Sequence, residues 1–310
     1  MHTERYGGSP LWEAYHRTRV TKEASVALDG FKSSGVNFKL ALWNPQTNGV
    51  RYLKALIHNV AGQLDDAGWE RLRRIRGRET GAPIAVRTHG ELVDMDYLQA
   101  VLELDFLGRH ATLDGASVLE IGAGYGRTCH AVLANHDVAA YAVVDLENSL
   151  DLARAYLRAV LDDDQLAKVA FIRAEDVERE LAGDRFDLCL NIDSFAEMDP
   201  EVVGNYLALI AGRCDGFYVK NPVGKYLDPS LDGHAEGQDL VAMALRTGPV
   251  RDVIDIHDSE AVRRQSARFL EAYRPAEGWR AVADEWAPPW SYYWQALYRT
   301  AEGAPIDPRM

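Results

Sequence analysis

After residue 112 short apolar runs alternate with helix-length segments, five times over. The runs cover residues 117–121 (SVLEI), 140–146 (AYAVVDL), 169–174 (VAFIRA), 186–192 (FDLCLNI) and 216–221 (GFYVKN). Helices are expected from Gly126, over 149–161, over the segment EDVERELAG and from Pro200. A strand–helix–strand series of this kind folds as a parallel sheet with helices on both faces, because each parallel connection needs a crossover about as long as a helix. Two more strands, 279–288 and 291–300, are expected around a Pro-Pro turn.

Before residue 112 the apolar spacing is helical. Ser9-Pro10 reads as a cap followed by proline at the first helical position, opening a helix to about Leu28. Further helices are expected over 49–64, 69–77 and 94–110, the last with apolar residues at 97, 98, 101, 102, 104, 106 and 107. The reading divides the chain into an N-terminal helical domain, 1–111, and an α/β domain, 112–302.

Composition narrows the partners. The 310 residues are 47% hydrophobic, enough for a sizeable core, and carry a net charge of −13. That balance argues against nucleic acid and anionic membranes, which need concentrated basic surface. It suits neutral or cationic small molecules. Cys129, Cys189 and Cys214 form no CxxC pair and read as small core residues in a reducing cytoplasm. The N-terminus is polar, with no signal peptide expected, and the apolar stretches fall short of a membrane span. The expected location is cytoplasmic. Asp199-Pro200-Glu201 reads as a helix cap rather than a catalytic acid.

The first α/β strand runs into Glu120-Ile121-Gly122-Ala123-Gly124-Tyr125-Gly126-Arg127. A dinucleotide fingerprint wants glycine where Arg127 stands. The pattern acid-x-G-x-G-x-G instead resembles motif I of the class I S-adenosylmethionine-dependent methyltransferases. S-adenosylmethionine has no phosphates, so its loop needs no basic residues, and glycines let it pass close over the backbone. The resemblance implies a Rossmann-like, seven-stranded sheet and a cofactor set of Glu120, Gly122, Ala123, Gly124, Gly126, Asp145, Leu146, Glu175, Asp176 and Asn191. Glu120 would face the cofactor's amino group and Asp145 its ribose hydroxyls. Either Glu175 or Asp176 would stand at the adenine-reading position.

The stretches FKSSGVNFKLALWNP, YLKALI, NIDSFAEMD and KNPVGKY together resemble sugar methyltransferases of bacterial natural-product and polysaccharide clusters. The more particular resemblance is to aminoglycoside N-methyltransferases of the gentamicin-pathway kind. It implies an amino group of a sugar as acceptor, with O-methylation of a neutral sugar hydroxyl as the alternative and a non-catalytic binding protein as a third reading. The segment 221–237 is long for a loop inside a compact domain. Its Tyr226, Asp228, Asp232 and Glu236 are expected to meet a cationic substrate, against one lysine, Lys225. Candidate bases are Asp193 and Glu197 after the fourth α/β strand, and His234 in the loop. His257 reads as a strand-end residue, and the aromatic tail as packing. No metal site is expected, because no compact cluster of ligating residues stands out.

Overall fold

The computed structural model describes residues 9–23, 33–226, 228, 230 and 237–300. The chain forms two compact units, 1–59 and 60–310.

The first unit holds α1 (Pro10–Thr18), α2 (Gly35–Leu40) and most of α3 (Pro45–Ala61). Ser9 caps α1, its Oγ accepting from Trp12 N at 3.4 Å, with Pro10 in the first turn as expected. The helix stops at Thr18 rather than near Leu28: Arg19 leaves helical geometry at φ −133°, and β-branched Val20 and Thr21 follow. Helix α3 starts four residues before the expected position, where Asn44 Oδ1 accepts from Gln46 N at 3.0 Å. Asn48 breaks its helical dihedrals, so the regular apolar spacing begins only beyond it.

The second unit opens with α4 (Asp66–Arg74), capped by Asp65, whose Oδ1 accepts from Gly68 N at 2.8 Å. A hairpin that the helical reading of this region missed follows, β1 (Ala85–Thr88) and β2 (Glu91–Asp94). Its turn residues His89 and Gly90 both take positive φ, as a two-residue hairpin turn requires. Helix α5 (Met95–His110) is next, started by Asp94.

The α/β series then runs β3 (Ser117–Ile121), α6 (Arg127–Asn135), β4 (Ala140–Asp145), α7 (Glu147–Val160), α8 (Asp163–Leu166), β5 (Val169–Arg173), α9 (Val177–Glu180), β6 (Leu188–Ile192), α10 (Pro200–Arg213) and β7 (Gly216–Pro222). Helices α11 (Gln238–Ala244) and α12 (Ser259–Ala272) lead to the hairpin of β8 (Trp279–Trp286) and β9 (Tyr293–Thr300). Asp199 caps α10 as read, Oδ1 accepting from Glu201 N at 2.9 Å.

The seven strands stand in the order β5-β4-β3-β6-β7-β9-β8. Only β9 runs against the others, paired antiparallel on both sides. This is a seven-stranded, Rossmann-like mixed sheet with helices around it, as expected. A bulge at Val282 interrupts β8, the strand at one edge: Ala281 pairs with Tyr298 and Ala283 with Leu297. One core cluster includes Leu119, Ile121, Val144, Phe195, Phe217 and Tyr298.

Residues 60–111 lie in the same compact unit as the sheet. Helix α5 explains why. Phe106 packs against Tyr218 of β7 with ring centroids 5.5 Å apart, and the polar Glu103 is buried with the apolar residues around it. No described helix is long and apolar enough to cross a membrane.

Candidate active site at the strand ends

In a sheet of this order, ligands sit outside the carboxyl ends of the parallel strands. Strand β3 ends there in the glycine loop. Gly122 takes φ 75°, and a Cβ on it would fall 2.0 Å from Ser194 Oγ, so no side chain fits. Gly124 takes φ 57°, and a Cβ there would meet nothing within 4 Å. The loop is tied to the end of β4: Gly124 N donates to Asp145 Oδ2 at 2.7 Å, and Leu146 N donates to Oδ1 at 2.7 Å. Gly126 takes φ 91° as the N-cap of α6, against the side chain of Leu157.

Arg127, the residue that breaks the dinucleotide pattern, turns away from the loop. Its Nη2 lies 2.8 Å from Glu103 Oε2, and its Nη1 donates to Asp96 O at 3.1 Å. It fastens the start of α6 to α5. Tyr125 does the same from inside the loop, its hydroxyl donating to Asp96 Oδ2 at 3.0 Å.

Two of the expected cofactor residues have side chains committed to the protein. Glu120 is buried and accepts from the Tyr141 hydroxyl at 2.7 Å. Burial pushes its carboxyl up to about 7, against the pull of Tyr141 and Arg127. Asn191 is fully buried and laces three strand ends together. Its Nδ2 donates to Ile121 O at 3.0 Å and to Ser194 Oγ at 2.7 Å, while its Oδ1 accepts from Asn221 Nδ2 at 2.8 Å. Ala123 is buried and Leu146 exposed.

After β5, Glu175 is exposed and pairs with Arg173 at 3.1 Å. Asp176 is held between Arg173 and Arg179, each at 2.8 Å. Of the two, only Glu175 lines the adjoining groove of about 880 Å³, together with Ala174, Val202, Asn205 and Tyr206 of the facing wall.

A second cavity, of about 380 Å³, opens beyond β6 and β7. Asp193, Glu197, Lys225, Tyr226, Thr247 and Tyr293 line it. Three of these are sequence-predicted site residues: the structure brings Asp193, Glu197 and Tyr226 together. Asp193 sits directly after β6 with φ 67°, a strained backbone for a residue with a side chain. Its Oδ1 is buried and, among the described residues, has no hydrogen-bond partner. Burial pushes its carboxyl above the usual range, while the neighbouring Tyr293 and the charge of Lys220 pull it back.

Lys225 was not expected in the site. Its Nζ donates to Ala196 O at 2.9 Å and to Thr247 Oγ1 at 3.1 Å, holding the turn that carries Asp193 and Glu197. Burial lowers its affinity for the proton. Glu197 is exposed. Tyr226 meets Tyr292 edge to face at 5.2 Å. Asp228 Oδ1 accepts from Ser230 N at 2.9 Å and Oγ at 2.6 Å. Asp232, His234 and Glu236 lie outside the described residues. Tyr293 was read as packing, and in sequence it stands a hundred residues from Asp193; only the antiparallel pairing of β7 with β9 makes them neighbours. No group of three His, Cys, Asp or Glu able to hold a metal is found among the described residues.

No family model and no curated protein matches the chain. Solved structures similar to it include the methyltransferase domain of bacterial CtHen1, at 14% identity and TM-score 0.48, covering 65% of this chain and 98% of that one. The mitomycin 7-O-methyltransferase MmcR is similar at 15% identity and TM-score 0.43, covering 76% and 68%. The glycopeptide N-methyltransferase MtfA, complexed with sinefungin, is similar at 14% identity and TM-score 0.43, covering 65% and 86%.

Proposed function

We propose that this chain is an S-adenosylmethionine-dependent methyltransferase whose acceptor is an amino group of a sugar in a small natural product, of the aminoglycoside kind. The observation that carries this reading is Asp193: a strained, half-buried residue whose buried Oδ1 has no partner among the described residues, lining a cavity next to Ser194, which packs on the glycine loop.

The loop suits this cofactor. Gly124 leaves open space over the backbone, and each Asp145 oxygen accepts one backbone N–H and keeps capacity to accept a hydroxyl. Arg127 is committed to Glu103, so the loop offers no cation to a pyrophosphate. Gly122, Gly124 and Asp145 would hold the cofactor, with Glu175 at the groove for its adenine. When bound, the cofactor supplies an electrophilic methyl group on a sulfonium.

The acceptor cavity supplies the rest. An amine at neutral pH is protonated and has no lone pair to attack with. Asp193 takes that proton, and Glu197 at the rim favours the approach of a cation. The rings of Tyr226 and Tyr293 offer flat walls to the apolar faces of a sugar.

The test is transfer of labelled methyl to a panel of aminoglycosides and neutral sugars. Label in amine-bearing sugars is expected, and Asp193→Asn should lower kcat roughly a hundredfold or more with unchanged affinity for S-adenosylhomocysteine. Label only in sugars without amines would replace this reading with O-methylation.

A further inference from the structure

Helix α5 reaches both halves of the proposed site. Asp96, Gln99 and Glu103 stand three and four residues apart, so they form one stripe along the helix. At the loop end, Asp96 Oδ2 accepts from the Tyr125 hydroxyl at 3.0 Å, and its carbonyl accepts from Arg127 Nη1 at 3.1 Å. In the middle, Gln99 Oε1 accepts from Trp290 Nε1, in the turn between β8 and β9, at 2.9 Å. The same oxygen accepts from Lys220 Nζ of β7 at 3.2 Å. At the buried end, Glu103 takes Lys220 Nζ on Oε1 at 2.8 Å and Arg127 Nη2 on Oε2 at 2.8 Å.

Glu103 is 2% exposed and Lys220 1%, and one carboxylate serves two cations. Burial opposes its charge, but Arg127 and Lys220 together hold the carboxyl below the usual range. Both cations stand next to the proposed chemistry. Arg127 directly follows Gly126, the last glycine of the loop. Lys220 O accepts from Asp193 N at 2.9 Å, and the next residue, Asn221, accepts from Ala196 N on Oδ1 at 3.1 Å. Ladder pairing of β3 with β6 ends at Ile121. From Gly124 onward the loop has left the sheet, and Arg127 is joined to β7 through Glu103.

A buried ion cluster is commonly just structural. This one links two segments that must be in register, because reacting atoms have to meet at roughly 3 Å and a misplacement of about 1 Å costs roughly a hundredfold in rate. We infer that Glu103 is a positioning residue: by holding Arg127 and Lys220 on one carboxylate, it sets the glycine loop against the end of β7, and so the cofactor against the acceptor beside Asp193. This deepens the methyltransferase reading and rests on it.

The test is made on the full chain with Lys220→Met, Arg127→Met and the pair together. Each single change leaves Glu103 one cation, so no buried charge loses its last partner. Transfer of labelled methyl to kanamycin is measured below the Tm of every variant, beside affinity for S-adenosylhomocysteine. Lys220→Met should lower kcat about tenfold or more, while KM and cofactor affinity stay within about twofold. The double variant should be no slower than the slower single one, since both act through Glu103. An unchanged kcat overturns the inference. So do effects that multiply, which would mean that each cation acts by itself. Amide exchange without any ligand is the second readout: in Lys220→Met the amides of residues 124–127 should exchange about tenfold faster than in wild type. Unchanged rates there overturn the inference too. Arg127→Met carries the converse expectation for residues 193–196, and decides the matter should Lys220→Met fail to fold. Failure of the functional reading looks different: the wild type transfers no label, while exchange still decides whether Glu103 holds the two ends together.

Discussion

Glu120 and His130 are displaced in opposite directions for one reason: burial disfavours the charged form of each. The carboxyl rises to about 7 and the imidazole, with its Nδ1 2.6 Å from the Tyr97 hydroxyl, falls to about 4. From the unfolded values of 4.5 and 6.5, the signs follow. The raised acid contributes stability below pH 4.5 that is lost as pH rises through 7. The depressed base contributes stability above pH 6.5 that is lost as pH falls through 4. Between 4.5 and 6.5 the two slopes, each about 1.4 kcal/mol per pH unit, cancel. Glu120→Gln removes one of them. Measured by urea unfolding, the variant should gain about 3 kcal/mol on wild type between pH 4.5 and 7. A constant difference would mean that Glu120 ionises normally. At Gly122 the expectation is steric. Gly122→Ala combines φ 75° with a Cβ 2.0 Å from Ser194 Oγ, and should cost about 2–4 kcal/mol, read as a lowered Tm. Both positions belong to the stretch that was legible in the chain. Lys220 and Glu103 were not, because a buried ion pair between a strand and a helix leaves no local pattern at either residue.

The strand β4 and the glycine loop act as one element, since the Asp145 carboxylate holds the Gly124 and Leu146 amides. Asp145→Ala therefore removes the proposed ribose contacts and loosens the loop together. Calorimetry with S-adenosylhomocysteine should show affinity reduced roughly a hundredfold; unchanged affinity would place the ribose elsewhere. The series of strands and the end of β4 could be read because apolar runs and glycines are local signals; the order in which the strands lie in the sheet is set by tertiary pairing. The hairpin β1–β2 escaped notice because AVRTHGELVD lies between helices and turns on His89-Gly90 rather than an Asn-Gly pair. The kink at Asn48 hid the first turn of α3 in the same way, by interrupting the period. Asp193 was legible as an acid after a strand; its strained backbone and the cavity it shares with Tyr293 depend on tertiary pairing.

At the scale of the molecule, every residue proposed to hold the cofactor lies in the 60–310 unit. Removing residues 1–44, which ends before α3, should leave affinity for S-adenosylhomocysteine unchanged. We propose that the N-terminal helices cover the acceptor or join copies of the chain. Lost turnover at constant mass in solution would favour the first role, and a fall in mass the second. Helix α5 has the periodicity of a helical domain yet packs on the sheet, a contact that no local pattern announces. The bulge at Val282 has a consequence for crowded solutions. It puts the outermost strand out of step with any straight strand laid beside it, while Arg280 and Asp284 add charge along that strand. That edge of the sheet is thereby poor ground for recruitment: a neighbouring copy laid along β8 finds no continuous ladder to extend.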